Sequence, residues 1–128
     1  MKYNKEILNR LKQISIENKI WIIYIGIIFL SWYSNSYEKK YFLFNDKISR
    51  KKYQELTILI FSILIIVYAY FLKSSLNDIN NLKETDAKHK KNLVYLSFIG
   101  SLLIFISGLI FLYIAISDEE LNVEIAFN

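Results

Sequence analysis

The chain contains no cysteine and no proline, and only one histidine and three glycines among its 128 residues. Disulfides and thiolate metal sites are therefore excluded, and nothing can be inferred about redox compartment. Without proline there is no proline-broken helix of the kind that secondary transporters place around a substrate. The glycines, Gly26, Gly100 and Gly108, all lie inside apolar runs. A Walker-type phosphate loop or a dinucleotide-binding fingerprint therefore cannot be assembled. His89 has no second histidine with which to share a metal, and a metal centre needs several converging ligands. It is flanked by Lys88, Lys90 and Lys91, which offer nothing to orient its imidazole as a base for a nucleophile. No catalytic residue, cofactor or metal is assigned, and an enzyme is not expected.

Charge is missing in a pattern. Residues 20–37, 56–72 and 92–117 contain no Asp, Glu, Lys or Arg, and together they make up 61 of the 128 residues. A helix with one wet face alternates polar and apolar residues, and these runs do not. A soluble bundle would need polar faces to cover them, and the rest of the chain is too short to supply those faces. At about 1.5 Å per residue, roughly 20 residues match a hydrocarbon core about 30 Å thick. The third run is ample, and the first two are completed by flanking side chains such as Glu55 and Lys73 reaching outward. Trp21, Trp32, Tyr33, Tyr37, Tyr53, Tyr95 and Tyr113 collect near the ends of the runs, as an interfacial aromatic belt requires. The expected fold class is all-α: an integral membrane protein, 1–128 as a single membrane domain, with three transmembrane helices and an N-terminal amphipathic helix.

The amphipathic helix is expected over 1–19, where Tyr3, Ile7, Leu8, Leu11 and Ile14 recur at helical spacing and Lys5, Arg10 and Lys12 occupy the remaining surface. Such a helix suits the surface of an anionic leaflet, or is a solvated extension of the first span. A basic start, an apolar run, and Ser34 and Ser36 after it also outline a secretory leader, but the first span is expected to be retained. Residues 38–55 read as a basic connection, with a short apolar patch at 41–44 and a turn signal at Asn45 and Asp46. In 73–91, Leu76, Ile79 and Leu82 continue the second helix beyond its span. Thr85 or Asp86 is placed to cap the third helix, which makes a helical hairpin. The acidic tail, 118–128, supports no assigned structure.

Ten of the 16 Lys and Arg fall in 1–19 and 73–91, and six fall in 38–55. Basic residues are retained inside, so a multi-pass protein of the cell membrane is expected, with the N-terminus cytoplasmic and the C-terminus outside. Heavy use of Ile, Lys and Asn suggests a bacterial source. The formal charge of +4 and the clusters Lys39, Lys40, Arg50, Lys51, Lys52 and Lys88, Lys90, Lys91 are read as marking the bilayer surface, and nucleic acid is not expected.

The third span carries the sharpest pattern. Ser97, Ser101, Gly108 and Ala115 are spaced by 4, 7 and 7, which places them on one helical stripe with Gly100 and Ser107 beside it, interrupted by Ile104 and Phe111. Small residues let helices approach closely in lipid, where the hydrophobic effect supplies no attraction. The expected partners are the bilayer and a second copy or another membrane protein, and the expected role is a non-enzymatic membrane subunit. The alternative is an oligomeric pore-forming or membrane-permeabilising effector of the holin-like kind.

Overall fold

The structure, a computed structural model, describes residues 4–123. Three helices account for nearly all of them: α1 (Lys5–Phe44), α2 (Lys47–Asn80) and α3 (Lys88–Ser117). No strand occurs among the described residues. All three helices are long and apolar enough to cross a membrane.

α1 runs unbroken for 40 residues. The amphipathic helix expected over 1–19 is therefore the first part of α1 and not a separate element; Tyr3 lies outside the described residues. The start is set by Asn4, whose Oδ1 accepts the Ile7 N–H at 2.8 Å, satisfying one of the free amides of the first turn. Nothing breaks the helix before Asn45, which closes it in the left-handed region at φ 51°. Asn tolerates that conformation better than most residues. Asp46 then opens α2 at once, its carboxylate accepting the Ile48 N–H at 3.1 Å and the Ser49 hydroxyl at 2.8 Å. The stretch 38–55 is thus helix on both sides of a two-residue turn. The turn signal falls where the chain reverses.

At the opposite end α2 continues past Leu72 to Asn80. The following bend is pinned by Asp86, which accepts the Lys83 N–H at 2.8 Å and the Lys90 ammonium at 3.2 Å. Neither Thr85 nor Asp86 caps α3. The cap position is Ala87, with no side-chain acceptor, because the Asp86 carboxylate is already committed to the bend. After α3, Asp118 accepts the Asn122 and Val123 N–H groups at 3.0 and 2.6 Å. Residues 124–128 of the acidic tail lie outside the described residues.

The helices form one layer. α2 packs against α1 on one side and α3 on the other, and no Cα atom of α1 comes within 8 Å of one in α3. The core is correspondingly narrow: Ile27 from α1, Ile60, Phe61 and Leu64 from α2, and Ala115 from α3, with Tyr24, Tyr68, Phe111 and Leu112 packed around it. On α1 the buried residues Ile20, Ile27 and Ser34 recur every seven, as do Gly108 and Ala115 on α3. A seven-residue repeat keeps a seam in register when helices wrap left-handed about each other. Large apolar side chains face outward instead, Trp21, Ile22, Ile28, Trp32, Ile66 and Tyr113 among them. Only 11%, 28% and 11% of the residues in the most apolar stretches of α1, α2 and α3 are buried.

The uncharged windows are stepped across the layer. Gln13 bonds Ser74, so Lys19 on α1 lies about 7.5 Å further toward the middle of the layer than Lys73 on α2, at 1.5 Å per residue. Gly108 meets Ile65 and Tyr68, so the window of α3 runs well past Lys73 in the other direction.

Candidate functional site

The small residues of α3 divide into two groups. Gly108 and Ala115 are buried against α2, and a Cβ on Gly108 would come within 3.1 Å of the Tyr68 ring and 3.3 Å of Ile65. Ser101 is half-buried and helps line a cavity of about 230 Å³ with Tyr24, Tyr68, Phe71 and Ile104. Ser97, Gly100 and Ser107 are exposed, and nothing lies within 4 Å of a Cβ built on Gly100. The reason is angular: Gly100 and Ser107 sit roughly a quarter turn from Gly108 at 3.6 residues per turn. One subset closes the α2–α3 seam, and the other is left on the outside of the layer.

Side chains that the sequence pattern did not single out tie the seams together. Gln54 Nε2 donates to the carbonyls of Ala115 and Ile116 at 3.1 and 3.2 Å, joining α2 to the end of α3. Gln13 Nε2 donates to Ser74 Oγ at 2.7 Å, joining α1 to α2 at the opposite end. Phe61 and Phe111 pack with ring centroids 5.7 Å apart, a separation at which aromatic pairs attract. The signal available for Gln54 was an isolated amide two residues before an apolar run. On the α1–α2 side, Ser31 Oγ, Asn35 Oδ1 and Arg50 Nε are buried without a hydrogen-bond partner.

The basic residues gather at the two ends of the layer. At the α1–α2 turn, the Lys40 and Lys52 ammonium groups lie 5.7 and 5.4 Å from the centre of the Tyr37 ring, cation–π contacts. The Tyr37 hydroxyl bonds that of Tyr33 at 2.7 Å. Lys39, Lys51 and Lys52 are exposed, and Arg50 is half-buried. At the other end Lys88, Lys90 and Lys91 open α3 beside His89, and Lys91 donates to the Glu84 carbonyl at 3.2 Å. Cations in a first turn face the positive end of the helix dipole and oppose helix formation. Helix stability therefore does not account for the basic residues that open α2 and α3.

Each reversal of the chain is held by one aspartate. At Asp46 the Ser49 hydroxyl is the largest influence, with the Ile48 and Ser49 amides and Lys40 adding to it, and it holds the carboxyl below its ordinary 3.8. At Asp86 the Lys83 N–H leads, with Lys90 adding to it, in the same direction. A carboxylate with a depressed native pKa contributes stability above its unfolded value and loses it as pH falls through the native one. Both turns are therefore expected to hold at neutral pH and to loosen only in acid below that ordinary value. Carbon-detected NMR titration of the two carboxyl groups in micelles checks this. Ser49→Ala should raise the Asp46 midpoint and Lys90→Gln the Asp86 midpoint, and midpoints at or above the ordinary value would remove the explanation.

Among the described residues no group of three or more His, Cys, Asp or Glu is arranged to hold a metal ion. No protein-family model matches the chain, and no curated protein and no solved structure matches it.

Proposed function

We propose that this chain is a non-enzymatic, multi-pass protein of the cell membrane. It acts as a subunit that associates with a second copy of itself, or with another membrane protein, through the outward face of α3. The observation that carries the reading is the single-layer arrangement: the backbones of α1 and α3 each pack on α2 and not on one another, so each outer helix turns a face away from the bundle. On α3 that face includes Gly100, with open space around it, and Ser107, where another helix can come close. Three helices in one layer enclose no lumen, which supports a subunit over a pore built from one copy. The basic residues at the ends of α2 and α3, placed against the helix dipoles, suit the phosphate surface of a bilayer. The excess of Lys and Arg at the end shared by the N-terminus and the α2–α3 bend favours that end as the cytoplasmic one.

The absence of cysteine makes the test clean, because an introduced thiol is unique. Gly100→Cys, oxidised in native membranes, is expected to give a disulfide-linked product, either at twice the 15.3 kDa of the chain or joined to a partner that itself supplies a thiol at the contact. Gly108→Cys, facing Tyr68 inside the layer, is expected to give none. Equal cross-linking at both positions, or none at either, would count against the outward face of α3 as the contact.

A further inference from the structure

Between the first turns of α1 and the last turns of α2 lies a polar cleft of about 370 Å³, a size within the range of small-ligand sites. One hydrogen bond joins its two walls, and a second within α1 orients the side chain that makes it. Arg10 donates to Gln13 Oε1 at 3.0 Å, and Gln13 Nε2 donates to Ser74 Oγ at 2.7 Å. Three charged side chains line the cleft: Lys12 from α1, and Lys73 and Asp78 from α2. The only ion pair among the described residues is Lys90 with Asp86, so these three charges have no ionic partner there. The amides of Asn77 and Asn81 and the ring of Tyr70 also line the cleft. Arg10 and Glu17, of opposite sign, both lie near Tyr70.

The position of the cleft is as informative as its lining. Lys73 is the first charged residue after the run 56–72, and Lys12 lies beyond Lys19, which closes the run 20–37 on its other side. The cleft therefore begins where the apolar surface of both helices ends, which is the depth of the lipid headgroups, and Tyr70 stands at that boundary where tyrosine is favoured. Two ammonium groups and neutral amides suit one phosphate. An unpaired carboxylate in the same cleft disfavours a purely anionic headgroup and suits a cation attached to that phosphate.

We propose that the α1–α2 cleft binds the headgroup of an amine-bearing membrane phospholipid, with the phosphodiester between Lys12 and Lys73 and the ammonium on Asp78. The assignment rests on the reading of the chain as a membrane protein but not on its self-association. A free phosphate offers the same anion without the amine or the acyl chains, so the two sources can be told apart.

The test is native mass spectrometry of the detergent-solubilised full chain, titrated separately with dioleoyl phosphatidylethanolamine, dioleoyl phosphatidylglycerol and inorganic phosphate. One phosphatidylethanolamine is expected to be retained, at least fivefold more tightly than phosphatidylglycerol, and inorganic phosphate should not displace it. Lys12→Gln combined with Lys73→Gln should weaken both lipids about tenfold. Asp78→Asn should weaken only the amine-bearing lipid and erase the preference. Equal retention of the two lipids, displacement by millimolar phosphate, or indifference to all three substitutions would each overturn the proposal. Unchanged helical circular dichroism of these surface variants shows that the fold is intact. Loss of Gly100→Cys cross-linking with lipid retention preserved would strike the subunit reading and leave the headgroup site standing.

Discussion

Gly108→Leu is expected to detach α3 from α2, whereas Gly100→Leu, on the same helix two turns away, is expected to leave the layer intact. A single added carbon at Gly108 would already lie 3.1 Å from Tyr68 Cδ2 and 3.3 Å from Ile65 Cγ1, closer than ordinary van der Waals contact. Leucine adds three more carbons on the same side, which the Tyr68 and Ile65 side chains must give way to. Overpacking of this kind costs about 1–3 kcal/mol. Leucine also forms helices better than glycine, by somewhat less than the roughly 0.8–1 kcal/mol that separates glycine from alanine, which would mask part of the loss if Gly108→Leu were measured alone. That gain is common to both variants and cancels in their difference, so the contrast isolates the steric cost. α3 is vulnerable because its fully buried contact is confined to Gly108 and Ala115, with Gln54 bonding the carbonyls at its end. An SDS titration in mixed micelles, read by energy transfer between fluorophores on α2 and α3, gives both free energies. Equal values for the two variants would mean that Gly108 does not sit in the seam.

The same contrast marks how far the fold could be read from residues alone. Three runs long enough to cross a bilayer were legible because an uninterrupted absence of charge is a property of the chain that no later packing alters. The reversal at Asn45 and Asp46 was legible because both residue types suit a left-handed position followed by a cap. The continuation of helix through 38–44 and 47–55 was not, since a basic surface on a helix and a basic connection have the same composition. The disposition of the helices was hidden for a related reason. A run that is apolar all round carries no stripe to say which side meets protein and which meets solvent. The stripe on α3 was found, and its spacing set Gly100 a quarter turn away from Gly108, but nothing in it said that the side of Gly108 is the one pressed against Tyr68 while Gly100 has no neighbour. Gln13 and Gln54 bind partners about sixty residues away in sequence, and no local pattern announces a contact of that separation.

Ile28→Arg is expected to reduce membrane insertion on the order of a hundredfold, and Phe44→Arg to change it little. Both residues are exposed, Ile28 at 63% and Phe44 at 76%, so in water each would be an ordinary surface substitution worth less than about 0.5 kcal/mol. They differ in depth. Ile28 lies in the middle of the uncharged run 20–37, and Phe44 is the last residue of α1, beside the turn. At the centre of a spanning helix arginine costs roughly 2.5–3.5 kcal/mol on an insertion scale, and each 1.4 kcal/mol is a factor of ten. Near a helix end the long side chain reaches the headgroups, and most of that cost disappears. Exposure thus ranks Phe44 above Ile28, whereas lipid ranks them the other way round. An insertion reporter, or the fraction of protein that survives an alkaline wash of isolated membranes, discriminates between the two. If Ile28→Arg partitions like Phe44→Arg, the outward face of α1 meets water and the bilayer is not its solvent.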